Sequence, residues 1–145
     1  QEPMFLLDSD IAFAPEVLDR LLAAPPPNRL ALRSRGACGA EEMKVRLDER
    51  GLVSDISKEI PPAEAAGESV GLEIFSAAAT GRLFEILARR VAEGSGRTEF
   101  YEAAFVELIR AGEPLHAVDL GELSCMEIDT PDDLERADRA FGAAR

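Results

Sequence analysis

The sequence predicts an α/β domain with a mixed, partly parallel central sheet flanked by helices. Short apolar stretches of strand length alternate with longer segments in which apolar residues recur at helical spacing. Two of these stretches flank a turn at residues 48–51 that ends in Gly51, which is typical of a β-hairpin. Because 145 residues are enough to bury one hydrophobic core, we expect a single domain over residues 1–145.

Strands are predicted wherever a short apolar stretch is bounded by turn residues. The expected strands are residues 4–7, 29–33, 43–47, 52–56, 70–75 and 115–120. The first is expected to be fully buried, because Met4–Leu7 is apolar throughout. In Arg29–Arg33, apolar and charged residues alternate, which predicts a half-exposed strand.

Helices are predicted where apolar residues recur every three or four positions. The expected helices are residues 15–24, 81–93, 98–112 and 129–141. Their predicted buried faces include Leu22 in the first helix and Phe84 and Val91 in the second. Thr98 and Thr130 are the predicted N-caps of the last two helices.

The composition excludes several classes of function. Asp and Glu number 28 against 16 Lys and Arg, and the net charge of -12 repels nucleic acid and anionic membranes. No apolar run approaches the ~20 residues of a membrane-spanning helix, and no signal peptide is recognisable. Cys38 and Cys125 form neither a metal motif nor a disulfide framework, which favours a reducing cytoplasm.

Two acids follow the first predicted strand. Asp8 and Asp10 come directly after Leu7, and ligands of open α/β sheets collect beyond the carboxyl ends of strands. Alternate residues of an extended segment point the same way, so the two carboxylates are expected to converge. Mg²⁺ prefers such carboxylate oxygens together with substrate phosphates. The alternative is that Asp8 caps a turn and Asp10 leads exposed residues towards the next helix.

A second pair of acids and a lysine extend this pattern. Glu127 and Asp129 alternate about Ile128 just before the last helix, where backbone N–H groups help to hold a carboxylate. Lys58 follows the second hairpin strand, and a lysine near phosphates neutralises charge on a transferring phosphoryl group. The alternatives are acids that only stabilise the helix N-terminus and a solvated surface lysine.

Together these stretches resemble the nucleotidyltransferases with a GT-A-like fold. The segments that carry the resemblance are FLLDSD, EEMKVRLDERGLVSDISKEI, GESVGLEIFS, EFYEAAFVELIRAG and MEIDTPDDLERA, which follow in this order from Met4 to about Ala137. They are similar to small cytidylyltransferases resembling phosphocholine cytidylyltransferase, and to the sugar-phosphate nucleotidyltransferases. The resemblance implies Mg²⁺-dependent transfer of a nucleotidyl group from an NTP, with CTP favoured, to a small phosphomonoester, with release of pyrophosphate.

The resemblance also implies roles for individual residues. Asp10 and Asp129 match the two metal-binding aspartates, and Lys58 matches a catalytic lysine that meets the phosphate groups. The substrate-binding positions that it implies are Asp8, Glu68, Glu102 and Glu127. The implied partners are an NTP and a small phosphorylated acceptor, without nucleic acid or membrane, and a homodimer stays open.

Two features depart from the family pattern. Relatives begin with a glycine-rich loop, followed by Arg and a Pro-Lys, whereas this chain begins with Gln1 and has no such loop. We therefore expect the C-terminal part of a longer nucleotidyltransferase, without the front nucleotide-loop segment and inactive in isolation. Cys125 stands where many relatives carry an aromatic residue, which does not support a choline-type acceptor.

Two other functions stay open. One is a metal-dependent glycosyltransferase in which the DSD stretch holds a nucleotide sugar. The other is a non-catalytic binding module of the same fold.

Overall fold

The structure, a computed structural model, describes residues 2–34, 39–94, 96 and 98–142, so that Cys38 lies outside the described residues. The strands within them are β1 (Met4–Leu7), β2 (Ile11–Phe13), β3 (Arg29–Arg33), β4 (Lys44–Leu47), β5 (Val53–Ser57), β6 (Gly67–Phe75), β7 (His116–Asp119) and β8 (Cys125–Glu127). The helices are α1 (Glu16–Ala23), α2 (Ala77–Glu93), α3 (Glu102–Arg110) and α4 (Pro131–Phe141). None of these helices is long and apolar enough to cross a membrane.

Six of the described strands form the central sheet. Its order is β5-β4-β6-β3-β7, and β1 pairs with β6 outside this path. Among the described pairings, β3 and β7 run parallel while the other neighbours run antiparallel. The predicted class of a mixed, partly parallel sheet flanked by helices is confirmed, and so is the hairpin of β4 and β5.

The long strand β6 pairs with two different strands along one edge. Its first residues pair with β4 at Val45, and its last residues pair with β1, where Leu7 lies opposite Leu72. Between these two pairings the carbonyl of Gly71 accepts a hydrogen bond from the N–H of Asp8 at 2.9 Å. Gly71 has a φ of 70°, and a Cβ atom there would lie 2.2 Å from Oδ2 of Asp8. Glycine is therefore required at the point where β1 leaves β6.

A separate two-stranded sheet joins the beginning of the chain to its end. In it β2 pairs antiparallel with β8, with Ile11 opposite Glu127. The N–H of Ile128 donates to the carbonyl of Asp10 at 2.7 Å, which extends the pairing beyond both strands. These two three-residue strands were not predicted, because periodicity is not readable over so short a stretch.

The core divides into two clusters that lie on opposite faces of the sheet. Leu30 and Leu32 of β3 belong to the cluster that contains Phe105 of α3. Ala31, which points the other way, belongs to the cluster that contains Val17 and Leu21 of α1. The alternation along β3 therefore packs helices against both faces of the sheet.

Two predicted strand environments were wrong. Leu30, Ala31 and Leu32 are all buried, so β3 is central rather than half-exposed. The fully buried strand expected at Met4–Leu7 is only half-buried, and Leu7 is 45% exposed, because β6 is the one described partner of β1. Sequence pattern alone does not reveal how many neighbours a strand has.

Within the described residues all four predicted helices are present, but several of their predicted ends and buried faces were wrong. Leu22, Phe84 and Val91 are all more than half exposed, although they were predicted to be buried. The second helix begins at Ala77, four residues earlier than expected, and the third begins at Glu102 rather than after Thr98. The last helix has Thr130 as its N-cap, as predicted.

Candidate functional site

A cleft of about 940 Å³ contains all the residues that the sequence analysis assigned to the site. The seven residues are Asp8, Asp10, Lys58, Glu68, Glu102, Glu127 and Asp129. They come from segments as far apart as β1 and α4, which only the folded chain brings together. Among the described residues that line the cleft, nine are acidic and three are basic. The cleft is therefore strongly electronegative.

The first end of the cleft holds three exposed acids, which we call the open acid cluster: Asp10, Glu127 and Asp129. The pairing of β2 with β8 brings them together. Partial burial raises the pKa of Glu127, and the charges of Asp129, Glu68 and Asp10 raise it further, while Arg33 lowers it. These carboxylates are therefore close enough to repel one another, and a cation between them would relieve that repulsion.

The start of α4 holds Asp129 in position. Asp129 immediately precedes Thr130, whose hydroxyl accepts a hydrogen bond from the N–H of Asp133 at 3.2 Å. The carboxylate of Asp133 in turn accepts from the N–H of Thr130 at 3.1 Å. This capping box fixes the first turn of the helix, with Pro131 at its first position. The backbone of Asp129 is thus anchored by strand pairing on one side and by a capped helix on the other.

Arg33 is a site residue that the sequence analysis missed. Its guanidinium donates to Oε1 of Glu68 at 2.5 Å and to the carbonyl of Cys125. Arg33 therefore links β3, β6 and β8 in the wall of the cleft, and its ion pair engages the carboxylate of Glu68. An arginine at the end of a strand gives no sequence signal of this role.

Three other acids form what we call the buried acid cluster: Asp8 and Glu102, which line the cleft, and Glu73, which lies next to them outside the lining. Tyr101 donates its hydroxyl hydrogen to Oδ1 of Asp8 at 2.7 Å. Glu73 is fully buried, and its Oε1 accepts from the hydroxyl of Ser69 at 3.2 Å. Glu102 is 7% exposed, and Oε2 of both glutamates lacks a hydrogen-bond partner within the described chain.

Burial and mutual repulsion shift the titration of this cluster. Burial, followed by the charges of Asp8 and Glu102, raises the pKa of Glu73 to about 8, although the hydrogen bond from Ser69 acts in the opposite direction. Burial and then Asp8 raise the pKa of Glu102, while a hydrogen bond from its own backbone and the charge of Lys58 lower it. Glu73 is therefore largely protonated at neutral pH, so that the three acids are not all charged at once.

Lys58 lies on the same side of the cleft as the buried acid cluster. Its ammonium sits 4.5 Å from the centroid of the Phe100 ring and 3.5 Å from Oε2 of Glu41. Phe100 is 57% exposed, and Glu41 is more exposed still, so Lys58 has room to turn towards a bound ligand. This is a surface environment for a cation rather than a buried ion pair.

Asp8 and Asp10 line the same cleft but interact with different groups. Asp8 accepts from Tyr101 and affects the pKa of Glu73, whereas Asp10 affects that of Glu127. The expected convergence assumed an extended segment, but Ser9 and Asp10 form a turn between β1 and β2. That turn directs one aspartate to each end of the cleft.

No three His, Cys, Asp or Glu side chains within the described ranges are arranged to hold a metal ion by themselves. The open acid cluster nevertheless supplies the hard oxygen donors that Mg²⁺ prefers, and Mg²⁺ commonly uses only one or two carboxylates together with substrate phosphates and water. The donor set therefore fits such an ion in the presence of a phosphorylated substrate.

Comparison with known proteins finds the same fold in solved nucleotidyltransferases. The chain is 31% identical over 154 aligned positions to the CMP-5'-(3-aminopropyl)phosphonate synthase of Streptomyces rubellomurinus (strain ATCC 31215), which covers 99% of this chain and 24% of that protein. The inositol-1-phosphate CTP transferase from T. maritima superimposes with a TM-score of 0.68 at 18% identity, over 95% of this chain and 54% of its own. The CTP:phosphocholine cytidylyltransferase from Streptococcus pneumoniae gives 0.65 at 12% identity, over 94% and 57%. No protein-family model matches.

The resemblance stated from the sequence is thus confirmed at the level of the fold. The chain spans about a quarter of the curated relative that it matches and just over half of each solved neighbour. Because the solved neighbours share under a fifth of their residues with it, they establish the architecture and not the reaction.

Proposed function

We propose that the protein containing this chain transfers a nucleotidyl group from an NTP, preferably CTP, to a small phosphomonoester and releases pyrophosphate. The observation that carries the proposal is that residues matched to the family from five distant segments line a single cleft. The curated relative, named as a CMP-phosphonate synthase, extends the acceptor class to phosphonates. Two of the solved neighbours are named for the use of CTP as substrate, which favours the same nucleotide here.

Asp10 and Asp129 are the proposed holders of Mg²⁺, with Glu127 beside them. When bound, the ion would supply Lewis-acid stabilisation of the negative charge that develops on the reacting phosphates. The chain's own contribution is to keep two carboxylates exposed and fixed, one directly before β2 and the other between β8 and α4. Both side chains are exposed, so each reaches the ion without breaking a packed contact.

Lys58 is proposed to neutralise phosphate charge. Its ammonium lies at the mouth of the cleft with a highly exposed partner, Glu41, so that exchanging this partner for a phosphate costs little. Glu68 is held by Arg33 and, together with Asp8, Glu102 and Glu127, is proposed to line the acceptor's path.

Transfer needs no protein nucleophile. An oxygen of the acceptor's phosphate attacks the α-phosphorus of the NTP, a new P–O bond forms, and the bond to pyrophosphate breaks with its electron pair leaving on oxygen. The residues of the cleft bind and align the two substrates, and catalysis rests on positioning and charge.

The test uses the full-length protein that contains these residues. It is incubated with Mg²⁺, each of the four NTPs and a panel of phosphomonoesters and phosphonates, and pyrophosphate and the diphosphate-linked product are measured. We expect pyrophosphate release that depends on both the acceptor and Mg²⁺, fastest with CTP. Product formed instead from a nucleotide sugar and an alcohol would indicate a glycosyltransferase. We also expect residues 1–145 alone to be inactive, and turnover of any NTP by them would contradict that.

A further inference from the structure

We propose that Arg33 is a positioning residue for the open acid cluster. By binding the free edge of β8 and the carboxylate of Glu68 at once, it fixes the distance between these acids and β6. This proposal rests on the proposed function, because it concerns the same cleft and the same reaction. It goes beyond that function by assigning a task to a side chain that acts through β8 and Glu68 rather than on the substrates.

The open acid cluster lies on a small sheet of its own. Asp10 directly precedes β2, Glu127 ends β8, and Asp129 follows two positions later. The two strands have three residues each, and among the described pairings they pair with each other alone. A two-stranded sheet of this kind is marginally stable at best in water. Contacts with the central sheet therefore have to hold the acids in place.

Apolar packing accounts for part of this placement. Ile11, Phe13 and Cys125 of the small sheet pack in the apolar cluster that contains Val17 and Leu21 of α1. Because apolar attraction is non-directional, these contacts hold the small sheet against the core without setting its position along that surface. Directional contacts are required to set that position.

Arg33 supplies a directional contact. The N–H of Ile128 donates to the carbonyl of Asp10, so in this antiparallel ladder the carbonyl of Cys125 points away from β2. That carbonyl accepts a hydrogen bond from the guanidinium of Arg33, which also donates to Oε1 of Glu68 at 2.5 Å. Arg33 thus joins the free edge of β8 to both β3 and β6, two positions before Glu127.

The chemistry of arginine suits this task. A planar guanidinium carries five N–H donors in a fixed fork, so that one side chain binds a carboxylate and a carbonyl in a defined geometry. A lysine ammonium is a point charge and does not fix the spacing of two acceptors in this way. Charge alone does not explain Arg33, because a positive group beside carboxylates opposes the arrival of a metal cation. Its contacts therefore indicate a geometric role.

The experiment measures the affinity of the full-length protein for CTP by calorimetry, with and without Mg²⁺, and takes the ratio of the two. This ratio reports the contribution of the metal ion and cancels effects on the nucleotide alone. In Arg33→Lys, which keeps the charge, and in Arg33→Met, which removes it, we expect the ratio to fall about tenfold. The affinity of Arg33→Lys without Mg²⁺ should be unchanged.

Arg46 of β4 provides the matched control. It forms ion pairs with Asp55 and Glu64 at 3.2 and 2.6 Å, and it lies outside the lining of the cleft. Its side chain is 36% exposed, against 34% for that of Arg33. Arg46→Lys and Arg46→Met should therefore lose a similar amount of stability in urea unfolding but keep the wild-type ratio.

Several results would overturn the proposal. CTP affinity of the wild-type protein that does not depend on Mg²⁺ would refute it, as would a wild-type ratio in Arg33→Lys. An increased ratio in Arg33→Met would show that Arg33 acts through its charge alone. An equal fall in the Arg46 variants would show that the loss follows from reduced stability and not from the position of β8.

Pyrophosphate release separates this proposal from the proposed function. A wild-type ratio in Arg33→Lys, together with Mg²⁺-dependent pyrophosphate release, would leave nucleotidyl transfer standing and remove the positioning role. A ratio that depends on Arg33 without pyrophosphate release from any acceptor would retain the positioning role and remove the proposed reaction.

Discussion

The two ends of the cleft contain the same chemical groups in opposite surroundings. Asp10, Glu127 and Asp129 are exposed, whereas Glu102 and Glu73 are 7% and 0% exposed. Exposed carboxylates stay in contact with water and so suit a metal ion that brings its own water. Buried acids gain protons or require a specific partner. The comparison teaches that burial, not residue type, divides one acidic cleft into two kinds of site.

Removing one carboxylate at the exposed end should have the largest effect. Asp129→Asn in the full-length protein should lower kcat by about 10³-fold, because one of two proposed metal-holding carboxylates is lost. Its stability should change little, since the side chain is exposed. The exposed acid Asp132 on the first turn of α4 does not line the cleft, so Asp132→Asn is the matched control. Equal activity of the two variants would contradict the assignment, with pyrophosphate release as the measurement.

The buried end should make stability fall with pH. The folded-state pKa of Glu73 is raised from 4.5 to about 8, so its stabilising contribution is complete below pH 4.5 and is lost as pH rises to about 8. Glu73→Gln, which mimics the protonated acid, should therefore gain about 3 kcal/mol relative to the wild-type protein between pH 6 and pH 9. Urea unfolding across this range measures the difference. Parallel pH profiles for the two proteins would mean that Glu73 does not titrate in this window.

Two glycines with similar positive φ values allow the energetic cost of the close approach between Gly71 and Asp8 to be measured. Gly71 and Gly51 have φ values of 70° and 77°, but a Cβ atom on Gly51 meets nothing within 4 Å. Both substitutions to alanine should show the strain of a positive φ, whereas Gly71→Ala should destabilise by about 2 kcal/mol more, because Asp8 must move. Thermal unfolding of the two variants gives the comparison, and equal losses would show that Asp8 yields without penalty.

The smallest expected effect concerns the helix cap beside the exposed end. Thr130→Ala should lower the free energy of unfolding by about 1 kcal/mol and weaken Mg²⁺ binding, because the cap fixes the backbone next to Asp129. Ser76→Ala removes the comparable cap of α2, where the hydroxyl accepts from the N–H of Ala79. Calorimetry with Mg²⁺ and nucleotide should find weaker Mg²⁺ binding in Thr130→Ala alone. Equal weakening in both variants would contradict the proposed link between the cap at Thr130 and Mg²⁺ binding by Asp129.

Much of the exposed end was predictable from local pattern. Glu127 and Asp129 alternate about Ile128 and are followed by Thr130 and Pro131, a pattern that predicts a capped helix, and the structure has that helix, although the strand β8 before it was not predicted. Capping and strand alternation depend on residues within a few positions of one another. Such signals survive in the sequence without knowledge of the rest of the fold.

The buried end was largely unpredictable. Glu73 in the apolar stretch of β6 gives no sign that both faces of the strand are covered, and Tyr101 gives no sign that it reaches Asp8 across 93 positions. Gly71 was the one local signal, since a glycine within an apolar strand often marks a close approach of another group. Burial and repulsion arise from packing between distant elements, so their effect on the pKa of Glu73 has no sequence pattern.

The sequence by itself determined the α/β class, the acid pairs at residues 8–10 and 127–129, and the N-cap of the last helix at Thr130, because these follow from local periodicity and turn chemistry. Only the tertiary structure decided that Asp8 and Asp10 serve different ends of one cleft and that Glu102 and Glu73 are removed from water. The physical reason is that the charge and burial of a side chain depend on the groups that lie near it in space. The turn at Ser9–Asp10 and the close approach of Asp8 to Gly71 determine which groups lie near each of the two aspartates.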